Sequence, residues 1–248
     1  MKTLKINNNS ITISPEEWLY IDNLILWWVE ISNKYFDEQG KKRGWIFAMI
    51  PNAWPWPTNK KIPQHWFVRI SSWEFIENNK KNIISQKIIF EKNIDFPYLY
   101  EVENDNILFE DENKIKIIYS IKNLWTEKMP ISVGFHPYFK IKDSFKKDII
   151  WDFKGWNKIS ENFDLRKSWW TYFFDNNLEE YKIFIPEIWN LKINFSSNFK
   201  KIWVWSPENW DSVCFEPNMN SYNWLTENPC FIEPWEIETF FMEISLEK

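Results

Sequence analysis

The chain has 248 residues, 44% of them hydrophobic and 26% charged, with a formal net charge of −5. That is the composition of a soluble globular protein, long enough for one large all-β domain or two small ones. The acidic balance argues against nucleic acid as the main partner, because no basic field is present to neutralise phosphates, and lysine pairs such as Lys60-Lys61 and Lys80-Lys81 read as solvated surface.

From Met1 to Ser14 the chain is polar and alternating, unlike a signal peptide. No apolar run approaches the ~18 residues of a membrane-spanning helix. Ser14-Pro15-Glu16-Glu17 offers a short helical turn, with serine as cap and proline at the first position. From Met49 to Pro63 four prolines (Pro51, Pro55, Pro57, Pro63) mark an irregular loop of the kind that often shapes a site. Thereafter short stretches of β-type residues dominate. Asn82 to Phe90 is the first, and Lys114 to Ile121 alternates with Ile115, Ile117 and Tyr119 on one face. Leu191 to Phe195, Lys201 to Ser206, Ser212 to Glu216 and Ile237 to Leu246 follow. Polar clusters at Asn104-Asp105-Asn106, Asp111-Glu112-Asn113 and Asp175-Asn176-Asn177 read as turns between them. There is no βαβ rhythm, no glycine-rich nucleotide motif, no repeat and no low-complexity linker, so an antiparallel sandwich or barrel spanning 1–248 as one domain is expected. Cys214 and Cys230 do not make a disulfide framework, which points to free thiols in a reducing cytoplasm. With two histidines they give no zinc-ligand spacing, and no metal is expected.

Nineteen tryptophans accompany only four glycines. Average usage puts glycine near ~7% of residues. Several tryptophans stand where a turn wants glycine: Leu124-Trp125-Thr126, Trp189-Asn190, Asn209-Trp210-Asp211 and Pro234-Trp235-Glu236. A sugar-stacking surface needs a few aromatic platforms, not nineteen scattered ones. An AT-rich gene fits the abundance of Lys, Asn and Ile and the two alanines, Ala48 and Ala53, but it should also deplete tryptophan, whose codon is UGG. A third reading fits both trends: UGA codons meant as glycine, written as tryptophan. The coding DNA tests it, since UGG at those positions would end the idea.

Two histidines and two of the three arginines sit in distinctive contexts: Arg43 before Gly44, His65 and Arg69 in His65-Trp66-Phe67-Val68-Arg69, and His136 in Gly134-Phe135-His136-Pro137-Tyr138-Phe139. A lone histidine is usually a satisfied structural residue; these together suggest a polar pocket. Glu216 ends the apolar stretch Val213-Cys214-Phe215 and precedes Pro217. In line with a buried strand it should be desolvated, its pKa raised into the range of a general base or acid. The alternative is an outward-facing strand glutamate paired with lysine.

The segments Lys42-Arg43-Gly44-Trp45-Ile46-Phe47, Ile50-Pro51-Asn52-Ala53-Trp54-Pro55, His65-Trp66-Phe67-Val68-Arg69 with Trp73-Glu74, Gly134-Phe135-His136-Pro137-Tyr138-Phe139 and Val213-Cys214-Phe215-Glu216-Pro217 resemble, in order, the aldose 1-epimerase (mutarotase) family. The fit is best to its shorter branch, which includes hexose-6-phosphate 1-epimerase-like members. The family usually has glycine where this chain has Trp45, Trp54, Trp66, Trp125 and Trp235, whereas Trp73 and Trp205 fall at tryptophan positions.

The resemblance implies a large antiparallel β-sandwich of the galactose mutarotase-like type, with the sugar on the concave sheet. It implies a cofactor-free isomerase that interconverts the α and β anomers of a free hexose. Glu216 would be the base and His136 the acid; His65, Arg43, Arg69 and Asp175 (or Asp164) would hold the sugar, or a phosphate if the substrate carries one. A non-catalytic sugar-binding module of the same fold is the competing expectation. The expected partner is a small-molecule sugar, on a monomer or weak homodimer.

Overall fold

A computed structural model describes residues 1–14, 20–36, 42–53, 65, 68, 71–152, 156–158, 165, 171–185, 190–220 and 229–247. The strands run, in chain order, β1 (Lys2–Ile6), β2 (Asn9–Ser14), β3 (Tyr20–Leu26), β4 (Val29–Glu30), β5 (Lys34–Phe36), β6 (Lys42–Gly44), β7 (Ile46–Met49) and β8 (Glu74–Ile76). Next come β9 (Ile83–Phe90), β10 (Tyr100–Leu108), β11 (Lys114–Asn123), β12 (Met129–Ile131), β13 (Gly134–Lys140), β14 (Ile150–Asp152) and β15 (Trp156–Lys158). The last are β16 (Tyr172–Asp175), β17 (Glu180–Phe184), β18 (Asn190–Phe195), β19 (Lys201–Trp205), β20 (Ser212–Asn218), β21 (Cys230–Ile232) and β22 (Ile237–Glu247).

Two nine-stranded sheets form the body. The first runs β1-β2-β3-β7-β13-β20-β19-β16, with β4 beside β3; the second runs β15-β14-β17-β18-β22-β11-β10-β9-β8. Strand pairing is antiparallel, as between β10 and β11 and between β13 and β20. The two short pairs are β5-β6 and β12-β21. This is the all-β sandwich expected from the short alternating stretches.

Alternation explains the layers. On β11 every second residue is buried, including Ile115, Ile117, Tyr119 and Ile121. On β13 and β20, Phe135, Phe139, Val213 and Phe215 face the main core, where Tyr181, Phe195, Phe199 and Phe240 meet them. Burying each such side chain stabilises the fold by about 1.5–3 kcal/mol. The Tyr181 hydroxyl, on the second sheet, donates to the Phe215 carbonyl on the first at 2.9 Å.

The six strands expected from the sequence all form, no end differing by more than two residues. One turn expectation is corrected. Asn104-Asp105-Asn106 lies inside β10, paired with β9 and β11. Asn104 and Asn106 point inward, Asn104 donating to the Ile118 carbonyl and Asn106 to the Asn104 side chain, so their amides serve the strand rather than compete with it. The helical turn at Ser14-Pro15-Glu16-Glu17 falls almost wholly outside the described residues. A 3-10 stretch spans Asp143–Asp148, and Val68 is also in 3-10 conformation. Among the described residues no helix is long and apolar enough to cross a membrane.

Candidate active site

The first sheet has a second buried face, turned away from the main core. Tyr20 (β3), Trp45 beside β7, Phe47 and Met49 (β7), Tyr138 (β13), Cys214 (β20) and Trp203 (β19) form a separate apolar cluster there, with Phe173 and Trp205 against it. The period of two along each strand produces it: Ile46 and Ala48 belong to the main core, Phe47 and Met49 to this face.

Registers across the sheet place the polar residues in rows. Gly134 on β13 pairs with Asn218 on β20, and Tyr138 with Cys214. Midway between these two bridges, His136 stands opposite Glu216. His136 also pairs with Phe47 of β7, and Glu216 with Trp203 of β19. Between the bridges the β13–β20 ladder is interrupted, and there each strand carries a proline, Pro137 and Pro217, with no N–H to donate. Gly134 is required by close approach: a Cβ there would lie 1.9 Å from Asn218 Oδ1.

His136 Nε2 lies 3.5 Å from Glu216 Oε1, with both side chains buried. The imidazole is stacked between neighbours on its own face of the sheet: Tyr138 at 4.6 Å between ring centroids and Phe47 at 5.0 Å, with the Trp205 edge at 6.2 Å. His65 approaches it edge-on at 5.1 Å. Burial pushes the Glu216 carboxyl well above the usual carboxylate range, opposed by a hydrogen bond from the Asn218 side chain. The desolvated strand glutamate foreseen from the sequence is therefore present, and the outward-facing, lysine-paired alternative does not hold.

The structure brings together Glu216, His136 and His65. Arg43 sits half-buried on β6. Asp175 ends β16 at the sheet edge, two strands from Glu216, with its side chain exposed and ion-paired to Lys201. Arg69 and Asp164 lie outside the described residues. Cys214 was read from the sequence only as a free thiol, yet it shares the site, two residues before Glu216. Strand periodicity around Glu216 was the signal for it, as spacing from His136 was for Tyr138.

His136, Cys214 and Glu216 also place their ligand atoms within 4.8 Å of one another, a mixed donor set that linear spacing does not reveal. Metal binding needs a thiolate and a carboxylate. Burial, with the Glu216 charge, raises the Cys214 thiol well above its ordinary value, and Glu216 is raised too.

A family model described as aldose 1-epimerase matches residues 41–150. That stretch holds Arg43, His65, Arg69 and His136; Asp175 and Glu216 lie beyond it. No curated protein sequence matches the chain. Among solved structures, the Slr1438 protein from Synechocystis sp. PCC 6803 is similar with a TM-score of 0.83 at 19% identity, covering 99% of this chain and 96% of its own. A galactose mutarotase related enzyme from Lactobacillus acidophilus gives 0.80 at 14% identity, covering 100% and 97%. Galactose 1-epimerase from Lactobacillus acidophilus NCFM gives 0.66 at 12%, covering 99% and 93%. The resemblance to the aldose 1-epimerase family is thus carried by a family match over residues 41–150 and by a galactose mutarotase-like β-sandwich that accounts for the whole chain.

Proposed function

We propose that this chain is an aldose 1-epimerase acting as one domain, interconverting the α and β anomers of a free hexose. The observation that carries the reading is the buried pair of His136 and Glu216, 3.5 Å apart on an aromatic face. Ring opening needs a base at the anomeric hydroxyl and an acid at the ring oxygen, both within reach of one pyranose edge. Glu216 takes the hydroxyl proton, and the lone pair left on that oxygen forms the carbonyl. The bond from the anomeric carbon to the ring oxygen breaks, and the ring oxygen takes a proton from His136. Rotation about the adjacent carbon–carbon bond presents the other carbonyl face. Closure then returns one proton to His136 and one from Glu216 to the new anomeric hydroxyl, leaving both groups as they began.

A pKa raised by burial makes Glu216 a stronger base than a solvated glutamate while it must still ionise to act. His65, against His136, would orient the ring oxygen. Arg43 and Arg69 would hold hydroxyls through their forked donors. Asp175 would serve only a sugar long enough to reach the sheet edge.

Polarimetry with α-glucose, α-galactose and α-glucose 6-phosphate tests the reading. Acceleration over spontaneous mutarotation is expected with an unphosphorylated hexose. Acceleration with the phosphate ester alone would reassign the substrate. Sugar binding without acceleration of any of the three would make the protein a binding module and end the enzyme reading.

A further inference from the structure

We infer that positions 27, 28, 45 and 235 are glycine in the protein its own cell makes, the codon behind these tryptophans being read there as glycine. Among the described residues, seven other than glycine have positive φ: Asn7, Trp27, Trp28, Trp45, His65, Asn209 and Trp235. Asparagine tolerates that region, but a bulky side chain there is an outlier. Four of the seven are tryptophan.

Each of the four sits where local geometry asks for glycine. Leu26 pairs with Val29, so Trp27 and Trp28 are the two loop residues of a hairpin. Their φ values are 47° and 69°. Two central residues at positive φ define a type I′ turn, in which Asn-Gly and Gly-Gly are preferred. Glu236 N–H donates to the Glu233 carbonyl, which makes Trp235, at φ 70°, the third residue of a β-turn; positive φ there is the mark of type II, whose residue is glycine. Trp45, at φ 78°, follows Gly44 at φ 108°.

Packing does not account for Trp28 or Trp235, although Trp27 is half-buried against the main core. Trp28 is 70% exposed and Trp235 60%. Trp45 differs, since its indole lies flat on Tyr20 at 4.3 Å. Trp73 and Trp205, the two singled out as true tryptophans, carry no positive φ. Nor do Trp125 and Trp210, whose turns suggested glycine from the sequence; the backbone supports the reading at 45 and 235, adds 27 and 28, and does not ask for glycine at 125 or 210, while 54, 66 and 189 lie outside the described residues. At Gly44, φ 108°, a Cβ would lie 2.3 Å from the backbone Asn33 O, so glycine is kept where backbone leaves no room; at Gly134 a Cβ would meet the Asn218 side chain at 1.9 Å.

Peptide mass spectrometry of the protein purified from its natural host is the direct test. Each of the four positions should be lighter by about 129 Da, the side-chain mass that glycine lacks. Tryptophan mass at any of the four overturns the inference for that position. A second measurement tests the backbone argument on recombinant protein made with tryptophan. Trp28→Gly and Trp235→Gly should each raise Tm by about 2–4 °C or more, and each should exceed its alanine counterpart, because alanine keeps the Cβ that positive φ disfavours. Trp28→Ala or Trp235→Ala equalling or surpassing glycine would show that only the exposed indole mattered and would overturn the argument.

Discussion

Glu216 of the first sheet is handled unlike the carboxylates around it, since Asp22, Glu30 and Asp175 of that sheet pair with lysines just as those of the second sheet do. On the second sheet the acidic groups reach solvent and meet lysines: Glu180 with Lys192 at 2.9 Å, Glu247 with Lys182 at 2.6 Å, Glu243 with Lys114 at 3.7 Å. On the outer face of the first sheet Glu216 is buried among aromatic rings, with the His136 imidazole 3.5 Å away and no lysine beside it in the described ion pairs. Both arrangements come from the same alternating strands. The difference teaches that a strand carboxylate becomes chemically useful when its surroundings withhold water, and merely solubilising when they do not.

The largest effect should come from Glu216→Gln. Mutarotation should fall by roughly 10²–10⁴-fold, the usual worth of a positioned acid or base, with the circular dichroism of the fold retained; an undiminished polarimetric rate would remove Glu216 from the chemistry. The same variant sharpens the comparison through stability. The folded pKa of Glu216 lies above its ordinary 4.5, so in the interval between the two values the folded chain binds more protons than the unfolded one. The stability attached to that proton is fully present below pH 4.5 and is lost as pH rises through the folded value. Glutamine removes this dependence. The Tm of the variant minus that of the parent should therefore grow from pH 4 towards pH 8, and a constant difference would mean that Glu216 is better solvated than its surroundings imply. Activity of the parent should follow the opposite trend, its acid limb lying above pH 4.5 because the base must ionise.

A smaller effect is expected at the joint between the sheets. Tyr181→Phe leaves the buried Phe215 carbonyl without its hydroxyl donor, at a cost of about 1–3 kcal/mol readable in urea unfolding; a neutral result would mean that the carbonyl finds water. The smallest belongs to the second sheet. Lys192→Ala breaks the ion pair with Glu180 and should cost less than about 1 kcal/mol, shrinking further in high salt. A loss as large as that of Tyr181→Phe would erase the contrast drawn between Glu216 and the lysine-paired carboxylates.

Much of this was legible in the sequence. Period-two alternation located β11, β18 and β22, and Glu216 in an apolar strand announced its own desolvation. The one misreading has a physical cause. Asn104 and Asn106 carry the chemistry of turns, but tertiary pairing on both sides of β10 turned their amides to the strand's own use. The place of Asp175 was not legible either, since nothing local discloses that β16 ends its sheet among the described residues. The meeting of His65 with His136, and of Cys214 with both His136 and Glu216, depends on which strands become neighbours. That pairing is decided by the whole core.

The interrupted ladder between β13 and β20 has a mechanical consequence. His136 is held in register by β7 and Glu216 by β19, while between them the strands are bridged only above and below, at Gly134–Asn218 and Tyr138–Cys214. His136 and Glu216 are thus each riveted to a different outer plank, with a seam running between them. The gap across that seam can widen or narrow as a ring opens and recloses without tearing a bridge, whereas an unbroken ladder would resist every such excursion. Two prolines without N–H donors mark that seam, at the place where the proposed ring opening would change the substrate's shape.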